Sequence, residues 1–225
     1  MLNRILILTV LCLVLVLTAV ASDRDDAVNR IHHADEVFNS IMDAPDQGIP
    51  ANLLDKTKCI AIIPGNVKFA FIFGGNYGRG LVTCRTTGKD WTAPLFLAIE
   101  GGSIGYQIGG SSTDLVLLFM NDHALHSLLS DRFKLGADAS VAAGPVGRTA
   151  AADTDVKLNA EILSYSRAKG IFAGVSLQGA VVKSDENANE SMYGANSDRH
   201  TILDEKVAVP EDAKKLIHDI SLFAR

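Results

Sequence analysis

Two glycine-rich segments, six histidines and a run of basic residues are the parts of this sequence whose types and spacing could do chemistry. The glycines invite a phosphate-cradling role. Neither Gly74–Gly80 nor Gly101–Gly110 follows G-x-G-x-x-G or G-x-x-x-x-G-K-[ST], and neither opens a helix whose N-terminus would hold a pyrophosphate. Gly101, Gly105 and Gly109 share the spacing of a helix seam in lipid, but Ser103, Tyr106, Gln107 and Ser111 make the stretch too polar for one. Glycine here reads as the residue of strongly bent or closely packed strands, where a side chain would not fit.

Nucleophilic catalysis finds little support. Gly101-Gly102-Ser103-Ile104-Gly105 comes nearest to a nucleophile elbow, yet the chain beyond Gly105 continues as strand instead of turning into a helix. Ser103 would matter if a histidine and a carboxylate met it in space. His123 and His126 stand three apart on an expected helix without a third ligand, and the adjacent His32 and His33 point away from each other. No catalytic residue, metal ligand or cofactor is assigned.

The charges are unevenly spread. The chain has a net charge of −5, a poor basis for non-specific nucleic-acid binding. Yet Lys56, Lys58, Lys68, Arg79, Arg85 and Lys89 lie in a stretch without a single acid. Gathered on one face, these six would meet anionic head groups, with Phe69, Phe71 or Phe73 adding apolar contact. Scattered by strand alternation around a sheet or barrel, each is merely solvated. The alternating phenylalanines are first of all core packing. Cys59 and Cys84 are either a disulfide or a pair of buried thiols.

The elements that must position these residues begin with an exported leader. Asn3 and Arg4 precede an apolar run, Ile5 to Val20, that ends in Ala19-Val20-Ala21 and Ser22, so residues 1–21 are expected to be a cleaved signal peptide. The run is shorter than the roughly 20 residues of a spanning helix. Residues 22–225 are expected to form one domain, exported to a periplasmic or secreted location and peripheral at a membrane.

Within it, residues 22–43 have helical periodicity through Val28, Ile31, Phe38 and Ile41, closed by Pro45, Gly48 and Pro50. Strands are expected at Cys59–Ile63, stopped by Pro64-Gly65, then at Val67–Gly74, Leu81–Arg85 and Leu115–Met120. Asn121 or Asp122 caps a helix running to about Arg132. Small-residue strands are expected over Ala137–Ala151. Ile162–Arg167 pairs with Ile171–Lys183, Ser184–Arg199 is a loop, and a final helix occupies about 210–223. The expected fold is α+β: a strand-rich, bent antiparallel sheet or barrel-like domain flanked by N- and C-terminal helices.

Five blocks in this order resemble the SYLF domain family: Lys58–Pro64, Phe71–Gly80, Gly105–Met120, Gly136–Ala142 and Tyr165–Gly179, with Ala34–Met42 similar to the family's opening helix. The likeness covers about 30–195. It implies a lipid-binding domain without catalysis. Eukaryotic members bind phosphoinositides and, in fungi, actin filaments and their regulators, while bacterial members are exported single domains. The resemblance therefore points to membrane lipid as partner, with a protein partner as the alternative. One departure stands out. The leading helix carries Asp23, Asp25, Asp26, Asp35 and Glu36 against Arg24 and Arg30, where phosphoinositide-binding relatives are basic. Each misplaced charge is repelled by an anionic surface at about 1 kcal/mol. Either this helix does not contact lipid or the lipid is not a highly anionic inositide.

Overall fold

The structure is a computed structural model that describes residues 23–44, 48–70, 73–88, 90–104, 109–130, 132–146, 160–168, 171–172, 177–195, 197–204 and 206–224. The expected signal peptide and Lys89 lie outside the described residues. An opening helix α1 (23–42) buries Ala27, Ile31, Ala34, Phe38 and Ile41, the apolar stripe its periodicity requires. A short helix α2 (Ala51–Leu54) leads into four long strands, β1 (Cys59–Ala70), β2 (Phe73–Cys84), β3 (Leu95–Ile104) and β4 (Gly109–Phe119). After α3 (Asp122–Leu129) come β5 (Arg132–Lys134), β6 (Val141–Ala143), β7 (Ile162–Ala168), β8 (Ile171–Phe172) and β9 (Val181–Ser184). Helices α4 (Glu186–Tyr193) and α5 (Arg199–Leu203), a 3-10 turn (Glu211–Ala213) and α6 (Lys214–Phe223) complete the chain.

The nine strands form one sheet in the order β5-β9-β3-β2-β1-β4-β7-β6, with β8 beside β7, antiparallel except where β6 meets β7. Five strand spacings separate β4 from β5, about 24 Å on a flat sheet. Yet Phe119 on β4 and Phe133 on β5 meet with ring centroids 6.1 Å apart. The sheet is therefore curled into a half-barrel, and the two aromatic rings touch across its concave side. The expected α+β fold with flanking helices is the one observed.

Alternation divides the core. On the convex side Ile60, Ile62, Leu81, Phe96, Val116 and Leu118 pack under α1, α4 and α6. On the concave side Ala61, Ile63, Leu97, Leu115 and Phe119 pack against α3, α5 and β5. Cys59 and Cys84, directly opposite across β1 and β2, are joined in a disulfide whose Cα atoms lie 3.9 Å apart.

Pro64-Gly65 does not stop the strand, contrary to expectation. The chain passes through a bulge there, Gly65 taking φ +58° with its N–H donating to Asp114 Oδ1 at 2.8 Å, and β1 resumes with its pairing shifted by one. A bulge is one of the few places in a sheet where proline's missing N–H costs no ladder bond. A helix, α4, occupies the middle of the expected Ser184–Arg199 loop, and α5 begins at its last residue. The side chains of Asp185 and Asp198 accept from Ala188 N and Thr201 N and start α4 and α5. Of the expected strand Ile171–Lys183 the described residues contain β8, which pairs with β7, and β9, which joins β3 to β5, with a turn at 178–179 ahead of β9. Two glycines of β2 serve close packing. A Cβ on Gly80 would lie 2.2 Å from Ile62 O, and one on Gly78 2.6 Å from Ile63 Cγ2.

Candidate functional site

Because Val67 pairs with Tyr77 and Arg79 lies two residues further along β2, all three share the convex side, just past the level at which α1 covers the sheet. Val67 and Tyr77 are 48% and 45% exposed, in contrast to the buried Ile62 and Leu81 further along the same face. They form the floor of an open depression of about 680 Å³, walled by Pro64 and by Arg30 and His33 of α1. Tyr77, Arg79 and Asp26 also border a second depression of about 430 Å³, whose far wall is the start of α4 at Glu186. Glu186 in turn borders a third, of about 440 Å³, with Glu190 and Asp198. Through these shared lining residues the three lie side by side as a trough, with Val67 and Tyr77 at one end and Glu186, Glu190 and Asp198 at the other.

An ion network links the elements that line the trough. Arg30 Nη1 donates to Asp185 Oδ2 at 2.8 Å, and Arg79 Nε donates to the same oxygen at 3.2 Å. Arg79 Nη1 also reaches Asp26 Oδ2 at 3.4 Å. Burial alone would raise the Asp185 carboxyl, but the hydrogen bond and charge of Arg30, joined by Arg79, hold it below the ordinary carboxylate range. Burial depresses the Arg30 guanidinium, which is stacked over the Phe96 ring at 5.4 Å. One carboxylate thus ties α1, β2 and the first turn of α4 together. Sequence reading assigned no role to Arg30 or Asp185. The signal within reach was Asp185-Glu186-Asn187-Ala188, a capping aspartate followed by an acidic first turn.

The six cations of the acid-free stretch do not form one patch among the described residues. Lys56 and Lys58 are exposed at the corner between α2 and β1, where Lys58 Nζ lies 3.2 Å from Asp122 Oδ1. Arg85 stands at the same end, but its Nε and Nη2 donate to the carbonyls of Thr57 and Leu54 at 3.1 and 3.2 Å while its guanidinium stacks on Trp91 at 4.8 Å. It closes the C-terminal end of α2. Lys68 lies some ten residues of strand from Lys58, about 30 Å, against a screening length of about 8–10 Å. Arg79 belongs to the Asp185 network, and Lys89 lies outside the described residues. The side chains of Phe69, Phe71, Phe73 and Ser103 do as well.

A further polar cluster joins His123, Glu161 and Ser140. Glu161 Oε1 contacts His123 Nδ1 at 2.6 Å, and Oε2 accepts from Ser140 N and Oγ at 2.9 and 3.2 Å. The bond from the Ser140 backbone, above all, keeps Glu161 ionised below its usual range. The carboxylate sits between serine and histidine, so the imidazole has no contact through which to accept the serine proton. The cluster's visible work is to pin α3 and the lead into β6 against β7. Among the described residues no group of three or more His, Cys, Asp and Glu is placed to hold a metal ion.

Residues 100–222 match the family described as Ysc84, Las17-binding protein actin regulator. The chain is 35% identical over 175 residues to Protein YSC84 of Saccharomyces cerevisiae, a match that covers 76% of this chain and 37% of that protein. It is 34% identical over 168 residues to LAS seventeen-binding protein 3 of the same yeast, covering 73% of this chain and 36% of that one. To SH3 domain-containing YSC84-like protein 1 of Xenopus laevis it is 30% identical over 186 residues, covering 82% and 55%. The chain therefore spans little more than a third of the yeast relatives' length.

Proposed function

The chain belongs to the Ysc84 family, and from that premise we propose a non-catalytic binding domain whose partner is a protein of the filament-assembly class. The observation that carries this reading is the Val67–Tyr77 pair, two large apolar side chains left open where α1 no longer covers the convex face of the sheet. The names of the relatives, one Las17-binding and the family an actin regulator, agree with a protein ligand.

Anionic phospholipid is the second reading, favoured by the adjacent exposed Lys56 and Lys58. The ion pair of Lys58 with Asp122 is half exposed and exchangeable, of the class worth about 0–1 kcal/mol. Each lysine near an anionic surface contributes about 1 kcal/mol, so the pair alone supplies roughly a thirtyfold preference. That is weak unless Lys68 or Lys89 joins in. The same proposal places the domain outside the cytosol, where the Cys59–Cys84 disulfide persists.

Co-sedimentation of the full chain separates the readings. Pelleting with actin filaments and not with vesicles supports the protein partner. Pelleting only with phosphatidylserine-containing vesicles, fading as salt rises, hands the function to lipid. Pelleting with neither removes both.

A further inference from the structure

The three adjoining depressions, which share Asp26, Tyr77 and Arg79 on one side and Glu186 on the other, make an elongated surface whose two ends differ in character. At one end are Val67 and Tyr77, exposed and flanked by Pro64. Along its length the exposed charges are mainly acidic. Asp26 and Glu100 have side chains 61% and 44% exposed, and their cationic partners, Arg79 and Lys183, are shared with or matched one-to-one by acids already present. Beyond them Glu186 and Glu190, one helical turn apart on α4, face the trough and are in no ion pair among the described residues, the cations Arg79 and Lys183 that line the same depression as Glu186 being already paired with Asp185, Asp26 and Glu100. An anionic lipid surface would be repelled along this line.

The geometry points to a partner segment of one particular chemistry: a bulky apolar residue followed within about ten residues by several lysines or arginines, lying along the trough from Val67–Tyr77 towards Glu186 and Glu190. The apolar anchor would cover the side chains that the fold leaves open, which is where binding energy concentrates. The basic residues would meet carboxylates at the rim, where charge complementarity sets orientation and association rate. This inference rests on the protein-partner reading and narrows it to a class of sequence and a site.

The test is fluorescence anisotropy with the full chain and a labelled peptide in which one tryptophan is followed by four lysines interleaved with glycine and serine. The comparison peptide has glutamate at each lysine position. The lysine peptide is expected to bind and the glutamate peptide not. Val67→Ser with Tyr77→Ser should weaken binding about tenfold, and Glu186→Gln with Glu190→Gln about fivefold, the latter loss vanishing at high salt. All four residues are exposed or on the rim, and circular dichroism melting of both double variants verifies that the fold is kept. Equal binding of the two peptides, or binding unchanged in both double variants, overturns the assignment. A chain that pellets with filaments regardless of these substitutions keeps the partner reading and loses the trough. A chain that neither pellets nor binds peptide loses both.

Discussion

Arg30 and Asp185, 155 positions apart in the chain, meet at 2.8 Å with the arginine side chain only 7% exposed and the aspartate 16%. A buried guanidinium requires its counter-ion, because an unpaired charge in a low-dielectric site costs several kcal/mol. The pair therefore obliges α1 and the start of α4 to share one side of the sheet.

Asp185→Asn should lower stability by about 3 kcal/mol, since it keeps the α4 cap but leaves Arg30 buried without its charge. Asp185→Ala removes the cap as well and should cost about 1 kcal/mol more. Urea denaturation at neutral pH measures both, and a loss below 1 kcal/mol for the asparagine variant would show that the ion pair contributes little.

The same carboxylate sets a pH dependence. Its folded-state value lies below the ordinary aspartate value of about 3.9, so its contribution is complete above that pH and is lost as pH falls through the folded value. The stability gap between the wild type and Asp185→Asn should therefore hold from pH 7 to about 5 and narrow towards pH 3. A gap independent of pH over that range would contradict the network.

The Cys59–Cys84 bridge closes a loop of sequence separation 25, for which chain entropy gives about 3.5 kcal/mol. Cys59→Ala with Cys84→Ala is expected to lower Tm by about 10 °C in a domain of this size. Adding reductant to the wild type should reproduce the shift once the bond is opened, and an unchanged Tm in the double variant would refute the estimate.

Two glycines of neighbouring strands should behave oppositely. Gly80→Ala forces a Cβ to within 2.2 Å of the Ile62 carbonyl, a backbone atom of a central strand, and should cost about 3 kcal/mol or more. A Cβ on Gly102 meets nothing within 4 Å, so Gly102→Ala should change stability by less than about 1 kcal/mol. Equal losses at the two positions would mean that packing around Gly80 relaxes freely.

Much of the architecture is legible residue by residue. The 3.6 period of Ile31, Phe38 and Ile41 marks α1, and the apolar run Leu115–Met120 marks the centre of β4, because both periodicities are local consequences of burial. Less legible were elements whose cause is a single residue or a distant contact. One capping aspartate turns the polar stretch after Ser184 into α4, and the bulge at Pro64-Gly65 lets Val67–Ala70 continue the strand begun at Cys59, while Phe73 and Gly74, expected in the same strand as Val67, open β2. Of the candidate site, the sequence showed six cations near one another in the chain, but not that Arg79 would be engaged by Asp185 and Asp26 or that Arg85 would close α2.

What the sequence determined unaided was therefore the kind of elements, their order, the family likeness and the acidic balance, all of which follow from patterns within a few residues. Which charges are paired, which apolar side chains remain open, and where three depressions come to share lining residues were decided by tertiary structure. The physical reason is that a charge interacts over distance in space, within about 10 Å at ordinary salt. Curling a nine-stranded sheet brings together residues more than a hundred positions apart while holding others, ten apart on one strand, out of each other's reach.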